Sequence, residues 1–461
     1  MKMHRHDREL HKTFTKAQRV RPSLFPIYLA AGLFYLLLLP EQLNFRLGAA
    51  LLPPYRVYLL AGFLLLFSQT SKRTPIRFGW SDVAVVFGCF WIVMASYFTS
   101  ESLGPALLQG GAHLTDIGFA YFFMRLAIRT PNEMRIFLVI IAPGVALMGI
   151  FVFLESVSGR LLIQPLFSAI TGQPTRVGVD VRLGLTRGVA SFPHPILAGI
   201  CLTSFLTLYW MSGLRSWPRF AGALGACAAF FTMSSAALLG LIAGSGLMMY
   251  DWLSRRIGNF TWPLFIGGVT ALYVVIELVS DSGFFNLLVR YASLNTVSAY
   301  NRVIIWEYGS QSVINHPIFG IGYADWERPS WMNWSTSSSI DHFWLILAMR
   351  FGLPASLLLI FATIAAVVSV AKKSVQLGQA DARFQRGVAI SLSVFALGAV
   401  SVSLWLNALV WFFMLLGTAA SLGAQVIHSP KTRLSSARLA AIQPTAFGHS
   451  AAVSQGDRLK P

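Results

Sequence analysis

Two arginines and an adjacent Asp–His pair are the side chains of this sequence best suited to chemistry. Arg187 directly precedes a helix entry rich in glycine and proline, and Arg302 lies in a segment where acidic residues outnumber basic ones. A guanidinium is a permanently charged planar fork whose donors match a phosphate group. Asp341 and His342 stand at the start of an apolar run, where a carboxylate or an imidazole can accept a proton. These residues suit a reaction that binds phosphate and removes a proton.

Further candidates lie on the same two segments. Trp306 and Gly309 follow Arg302 at i+4 and i+7, so the three residues share one face of an amphipathic helix expected over 299–314. An interfacial helix whose arginine reaches lipid headgroups accounts for the same spacing. The other candidates for substrate contact are polar residues of these segments: Arg182, His194, Trp306 and His316.

A glycine-containing turn and a group of tryptophans follow the helix. In HPIFGIGY, Gly320 and Gly322 permit a close approach of backbones. Aromatic faces suit the stacking of sugar rings, and an aromatic belt at the membrane interface explains the same residues equally well. The tryptophans in question are Trp326, Trp331, Trp334 and Trp344.

Composition places these residues in a membrane protein. Of the 461 residues, 55% are hydrophobic and 12% are charged, and a soluble chain could not bury that much apolar surface. The formal net charge is +18, but Lys and Arg lie mainly in short segments beside apolar runs. This distribution orients membrane helices, so no nucleic-acid partner is expected.

Apolar runs long enough to cross a bilayer predict an all-α integral membrane protein with about twelve transmembrane helices. Basic residues recur in every second connection, which predicts that both termini are cytoplasmic. Two connections on the opposite, periplasmic side are long, 156–191 and 281–341, and are expected to hold short helices and the functional residues. The spans are expected near 23–40, 48–68, 82–99, 104–128, 135–155, 192–213, 218–232, 234–251, 262–280, 342–371, 386–404 and 405–425.

The sequence thus divides into three parts. Residues 1–22 form a basic cytoplasmic tail, 23–428 form the polytopic domain, and 429–461 are expected to be a disordered cytoplasmic tail because they lack apolar periodicity. The three cysteines all fall within expected spans and are interpreted as packing residues, so neither a disulfide nor a metal site is expected. They are Cys89, Cys201 and Cys227.

The order of these motifs resembles the O-antigen ligase and O-antigen polymerase superfamily. An arginine before FPHPILAG is followed by Asn301-Arg302 and Trp306, then by the HPIFGIG turn, then by a polar pair before Leu345 and Gly352. Each motif is degenerate, but their order on one side of the membrane is fairly specific. The resemblance covers roughly 180–360 by motif and the rest by topology.

The resemblance implies roles for individual residues. Arg187 and Arg302 correspond to the family's two diphosphate-binding arginines. Asp341-His342 occupies the position where the family usually has His-Asn. The spacing to Leu345 aligns Asp341 with the usual histidine and shifts His342 by one residue, about 100° around a helix. Either residue is therefore a candidate for the base, and the pKa range of histidine slightly favours His342.

The resemblance also implies an activity. It is that of a metal-independent glycosyltransferase in the bacterial inner membrane, with an undecaprenyl-diphosphate-linked glycan as donor and no cofactor. The acceptor would be a second glycan or a lipid A-core, and FPHPILAG and DHFWL slightly favour a polymerase over a ligase. Membrane lipids and a polysaccharide chain-length regulator are expected partners.

Two other classes of protein remain as alternatives. A secondary transporter or flippase for lipid-linked or small polar solutes needs coupling acids within the membrane, and Asp116 and Glu155 are the few candidates. A metal-dependent polyprenyl-phosphate glycosyltransferase usually presents several acids in its first external loop, where this chain has only Glu41.

Overall fold

The structure, a computed structural model, describes residues 23–48, 50–69, 76–280, 283, 287, 296–326, 328, 331 and 340–425. This part of the chain is mostly helical, with two short antiparallel hairpins. The expected helical fold class is thus confirmed. The tails predicted at 1–22 and 429–461 and the residue Trp334 lie outside the described residues.

The helices and strands follow the apolar runs of the sequence closely. In chain order they are α1 (Leu24–Leu37), β1 (Phe45–Leu47), β2 (Ala50–Leu52), α2 (Pro54–Ser68), α3 (Trp80–Thr99), α4 (Leu103–His113), α5 (Ala120–Ala127), α6 (Pro131–Ser158), α7 (Ile163–Thr171), β3 (Val181–Arg182), β4 (Leu185–Thr186), α8 (Pro195–Met211), α9 (Trp217–Cys227), α10 (Ser235–Ser254), α11 (Trp262–Val279), α12 (Thr296–Asn315), α13 (Phe343–Phe351), α14 (Leu353–Ser374), α15 (Gln379–Gly398) and α16 (Leu406–Gly423). A π-helical turn, Leu114–Phe119, joins α4 to α5.

Six of the described helices are long and apolar enough to cross a membrane: α3, α6, α10, α11, α14 and α16. Helices α1, α2 and α8 are apolar but shorter. These apolar helices confirm the prediction of a polytopic membrane protein. The count of twelve crossings and the sidedness of the loops stay predictions.

The run predicted as one span over 342–371 is two helices, α13 and α14. Gly352 separates them at φ +84°, a conformation that side chains other than glycine rarely adopt, and a Cβ there would overlap the carbonyl group of Ile318. Pro354 stands in the first turn of α14, where its missing N–H costs nothing. The run thus contains one candidate span, α14, preceded by the separate short helix α13. The sequence did not predict this break, because it depends on the neighbouring HPIFGIG turn.

The span predicted over 386–404 also differs, because α15 begins at Gln379 and ends at Gly398. The residues that follow form a turn whose carbonyl groups, those of Ala399 and Val402, accept the N–H of Phe343. Glycine and serine are weak helix formers, so the run Gly398–Ser403 can leave the helical conformation and form this contact at a small cost in free energy. The turn that follows α15 therefore lies directly against the Asp341-His342 pair.

Helix α16 lies at the centre of the bundle, and every residue from Asn407 to Leu422 is buried. Its aromatic residues contact α1, α8 and α13, with Trp411 stacked on Phe205 at 4.7 Å between ring centroids. Helix α11 differs most from α16 in burial, since none of its residues is buried. The core thus forms around α16 and leaves α11 at the periphery.

Candidate functional site

Arg187 is held at the end of the first long loop by a hairpin. Strands β3 and β4 pair through a turn at Leu183 and Gly184, both with positive φ, and the N–H of Arg187 donates to the carbonyl of Asp180 at 2.9 Å. The side chain is 3% exposed. Its Nη1 donates to Asp180 Oδ2 at 2.8 Å and its Nε to the carbonyl of Thr232 at 3.2 Å. Its Nη2 is buried and has no hydrogen-bond partner.

Glu155 fixes both ends of the segment that carries Arg187. Its fully buried carboxylate accepts backbone N–H groups from Leu162 at 2.9 Å, Ile163 at 3.3 Å, Val189 at 2.8 Å and Ala190 at 2.7 Å. Hydrogen bonds to a charged group contribute about 1.5–3 kcal/mol each. This role of Glu155 could not be predicted from the sequence, because the donors are backbone groups of the loop.

Gly188 brings the loop onto the helix beneath it. Its N–H donates to the carbonyl of Phe231 at 3.0 Å, and a Cβ at this position would overlap the carbonyl of Val152 in α6. A larger residue would therefore displace the loop from α6. The conformation of Arg187 depends on this contact.

Arg302 approaches from the second long loop. The helix predicted over 299–314 is present as α12 and is longer. Arg302 is 7% exposed, and Gly309 on the same face packs against Leu345 and Met349 of α13. The Nε of Arg302 is buried and has no hydrogen-bond partner.

The two arginines lie in one electrostatic environment although they are far apart in sequence. Burial lowers the pKa of Arg187, the hydrogen bond to Asp180 opposes this, and the charges of Arg182 and Arg302 lower it further. Burial likewise lowers the pKa of Arg302, which Asp341 raises and Arg182 lowers. Partly buried cations that repel one another are costly unless an anion joins them. The arrangement is therefore suited to an anion with several oxygens.

Asp341 and His342 lie beside Arg302 and differ in their surroundings. The ring of His342, 1% exposed, has Nδ1 at the carbonyl of Val400 and Nε2 3.4 Å from the carbonyl of Arg302. Burial lowers its pKa to about 4, although both carbonyls oppose this. Burial raises the pKa of Asp341, and Arg302 lowers it. At neutral pH His342 is therefore uncharged, with backbone at both nitrogens.

The additional candidates divide into those near the arginines and one far away. Arg182 Nε lies 3.8 Å from Asp180 Oδ2. His194 caps α8, since its Nδ1 accepts the N–H of Ile196 at 3.2 Å, and burial, followed by the charges of Arg187 and Arg182, lowers its pKa to about 4.

Trp306 is 41% exposed, and its ring centroid is 5.5 Å from that of His342. His316 is exposed just after the last residue of α12. The rise per residue of a helix places it roughly 20 Å from Arg302 along the axis. The structure thus brings together every predicted site residue except His316.

The glycine turn packs as the sequence predicted. A Cβ on Gly320 would overlap the carbonyl of Met349, and one on Gly322 would lie 2.6 Å from Thr99 Oγ1. The N–H of Ile321 donates to the carbonyl of Met349 at 2.7 Å. The close backbone approach is confirmed, and it holds the end of α12 against α13.

The tryptophans differ in what they offer to a sugar. Trp326 is 4% exposed within an apolar cluster, so its face is not accessible. Trp344 donates its Nε1 to the carbonyl of Ala396 at 3.1 Å and packs on Phe412. Trp331 is 50% exposed. Of Trp326, Trp331 and Trp344, only Trp331 has a face open enough to fit the stacking interpretation.

The acids considered for a transporter are both occupied by protein groups. Asp116 accepts from Arg56 Nε at 2.9 Å and Nη2 at 2.6 Å, and Glu155 holds the Arg187 loop. Neither has the open coordination that coupling to an ion needs. In the described part of the chain, no group of three or more His, Cys, Asp and Glu residues is arranged to hold a metal ion.

Comparison with known protein families agrees with the geometry. A family model described as O-antigen ligase matches residues 220–360. The resemblance to the O-antigen ligase and polymerase superfamily is confirmed. The match includes Arg302, Asp341 and His342, while Arg187 precedes it. No curated protein matches the chain at a significant level.

Proposed function

We propose that this O-antigen ligase-like protein transfers a glycan from an undecaprenyl-diphosphate-linked donor to an acceptor hydroxyl. The observation that carries the proposal is the pair of arginines, each with a buried N–H that lacks a partner. A diphosphate supplies the oxygens that these donors need, and Arg187 and Arg302 would bind it from two separate loops. The apolar faces of the surrounding helices suit the isoprenoid chain.

The proposed reaction is a displacement at the anomeric carbon of the donor glycan. The acceptor oxygen attacks the anomeric carbon, the bond from that carbon to the diphosphate oxygen breaks, and polyprenyl diphosphate leaves. Negative charge grows on the leaving diphosphate, where two preorganised guanidinium groups stabilise it most. The proton of the acceptor hydroxyl passes to a protein base.

Asp341 fits the role of base better than His342 in this geometry. The acceptor nitrogen of a neutral His342 faces a backbone carbonyl, whichever tautomer is present. Asp341 is only partly buried and lies within the field of Arg302. We propose that Asp341 accepts the proton and that His342 positions it together with the turn that follows α15.

The acceptor is a second lipid-linked glycan in a polymerase and a lipid A-core in a ligase, and the sequence motifs slightly favour the polymerase. We place the protein in the bacterial inner membrane with both termini cytoplasmic and the arginine site on the periplasmic side. A chain-length regulator would then be a partner of the polymerase.

The test is transfer by the purified full-length protein in liposomes that contain the lipid-linked donor. Longer lipid-linked glycans support a polymerase, and glycan on an added lipid A-core supports a ligase. In both cases polyprenyl diphosphate accumulates in step with the product. Movement of the donor across the liposome without a new glycosidic bond would instead establish the transporter alternative.

A further inference from the structure

A charged cavity lies at the end of the helix bundle opposite the arginine site. It has a volume of about 1120 Å³ and is lined by the ends of α8, α10, α14 and α15. Helix α10 begins three residues after Thr232, which contacts Arg187, and reaches this cavity at Asp251. The helix length separates the two places by roughly 25–30 Å, close to the thickness of a bilayer core.

One carboxylate and several arginines form the polar side of this cavity. Asp251, 1% exposed, pairs with Arg255 at 2.6 Å and with Arg386 at 2.7 Å. Arg256 and Arg383 also line the cavity. In the described part of the chain, neither of these two has a carboxylate within ion-pairing distance. Positive charge therefore remains after Asp251 is satisfied.

Aromatic rings hold the remaining arginines in place. Arg256 lies over the ring of Trp252 at 4.3 Å, and Arg219, just outside the lining, lies over the ring of Trp210 at 4.5 Å. Arg383 Nη2 donates weakly to the carbonyl of Trp210 at 3.4 Å. The Nε of Arg219 is buried without a hydrogen-bond partner. These side chains are ordered around the cavity rather than extended into solvent.

The remaining wall of the cavity is apolar. Met211, Met248, Met249 and Trp252 line it, and Met249 is 67% exposed. A soluble phosphate would use only the arginines, whereas a phospholipid would use the arginines for its headgroup and the methionines for its acyl chains. Basic pockets between membrane helices bind anionic headgroups in this way.

We propose that this cavity is a binding site for an anionic phospholipid, separate from the donor site and on the opposite face of the membrane. Arg256 and Arg383 contact the phosphate, and the methionine wall contacts the first part of the acyl chains. The lipid would cover the ends of α10 and α15.

The test is native mass spectrometry of the full-length protein titrated with phosphatidylglycerol, cardiolipin or phosphatidylcholine. The variant Arg256→Gln/Arg383→Gln should bind the two anionic lipids about 25-fold more weakly, which is about fivefold for each arginine. The control Arg77→Gln/Arg215→Gln removes the same charge outside the cavity and should bind like the wild type. If the double variant folds poorly, the single variant Arg383→Gln replaces it in the test. Its affinity for the anionic lipids should be about fivefold lower than that of the wild type.

Two results would overturn the proposal. In the first, the cavity variant and the control bind anionic lipid with equal affinity. In the second, the wild type binds phosphatidylcholine as tightly as it binds the anionic lipids. Inorganic phosphate separates the two sources of the anion. If phosphate alone raises the melting temperature as much as the lipid does, and this depends on Arg256 and Arg383, the site binds a soluble anion instead.

Discussion

The buried guanidinium of Arg187 is paired at 2.8 Å with Asp180, a residue whose side chain is 52% exposed. The carboxylate thus occupies a position on Arg187 where an oxygen of the donor diphosphate would bind. Because Asp180 reaches solvent, it can leave when the donor arrives, and the pair keeps Arg187 in place until then.

The first prediction follows from this pairing. Asp180→Asn removes a competing charge, so the donor should bind at least about twofold to fivefold more tightly. That range is the contribution of an ion pair with both partners exposed, and the guanidinium of this pair is buried. The measurement is the Kd of the lipid-linked donor. Weaker binding would show that Asp180 orients Arg187 rather than competing for it.

The second prediction concerns Glu155, which contacts no substrate in the proposed mechanism. Glu155→Gln turns one acceptor oxygen into a donor group opposite backbone N–H groups, which should cost about 2–4 kcal/mol and lower the melting temperature. Donor binding should weaken with it, because the Arg187 loop loses its anchor. Glu101→Gln, at an exposed position, is the control. Unchanged stability and binding in Glu155→Gln would remove this residue from the account.

The third prediction concerns the base. Burial raises the pKa of Asp341, and a base must be ionised, so transfer should fall as the pH drops through that raised pKa. Asp341→Asn should abolish this acid limb together with most of the rate. His342→Gln should reduce the rate but keep the limb. The measurement is the pH dependence of initial rates. If the acid limb persists in Asp341→Asn and is lost in His342→Gln, His342 is the base that accepts the proton.

The fourth prediction concerns sidedness. In a variant without the three native cysteines, Ser168→Cys on α7 should react with an impermeant thiol reagent once the outer membrane is permeabilised. Arg215→Cys, between α8 and α9, should react only after the inner membrane is opened. The opposite labelling pattern would invert the topology and move the arginine site to the cytoplasm.

The sequence predicted most helices because apolar runs of membrane length have few alternatives. The resemblance to the O-antigen ligase and polymerase superfamily also predicted that Arg187, Arg302 and Asp341 belong to one site. It could not predict the Glu155 anchor, whose partners are backbone groups of a folded loop. Nor could it predict that His342 contacts the carbonyls of Val400 and Arg302, since the turn after α15 was expected to be helix.

The most direct test of the account is transfer from the lipid-linked donor by Arg187→Ala and Arg302→Ala, with the exposed Arg160→Ala as control. Each site variant should insert normally and lose on the order of 10²–10³ in rate, the cost of one contact to the transition state. Lysine at either position should restore little, because it lacks the bidentate fork. A wild-type rate in either alanine variant would contradict the joint binding of the diphosphate by the two arginines.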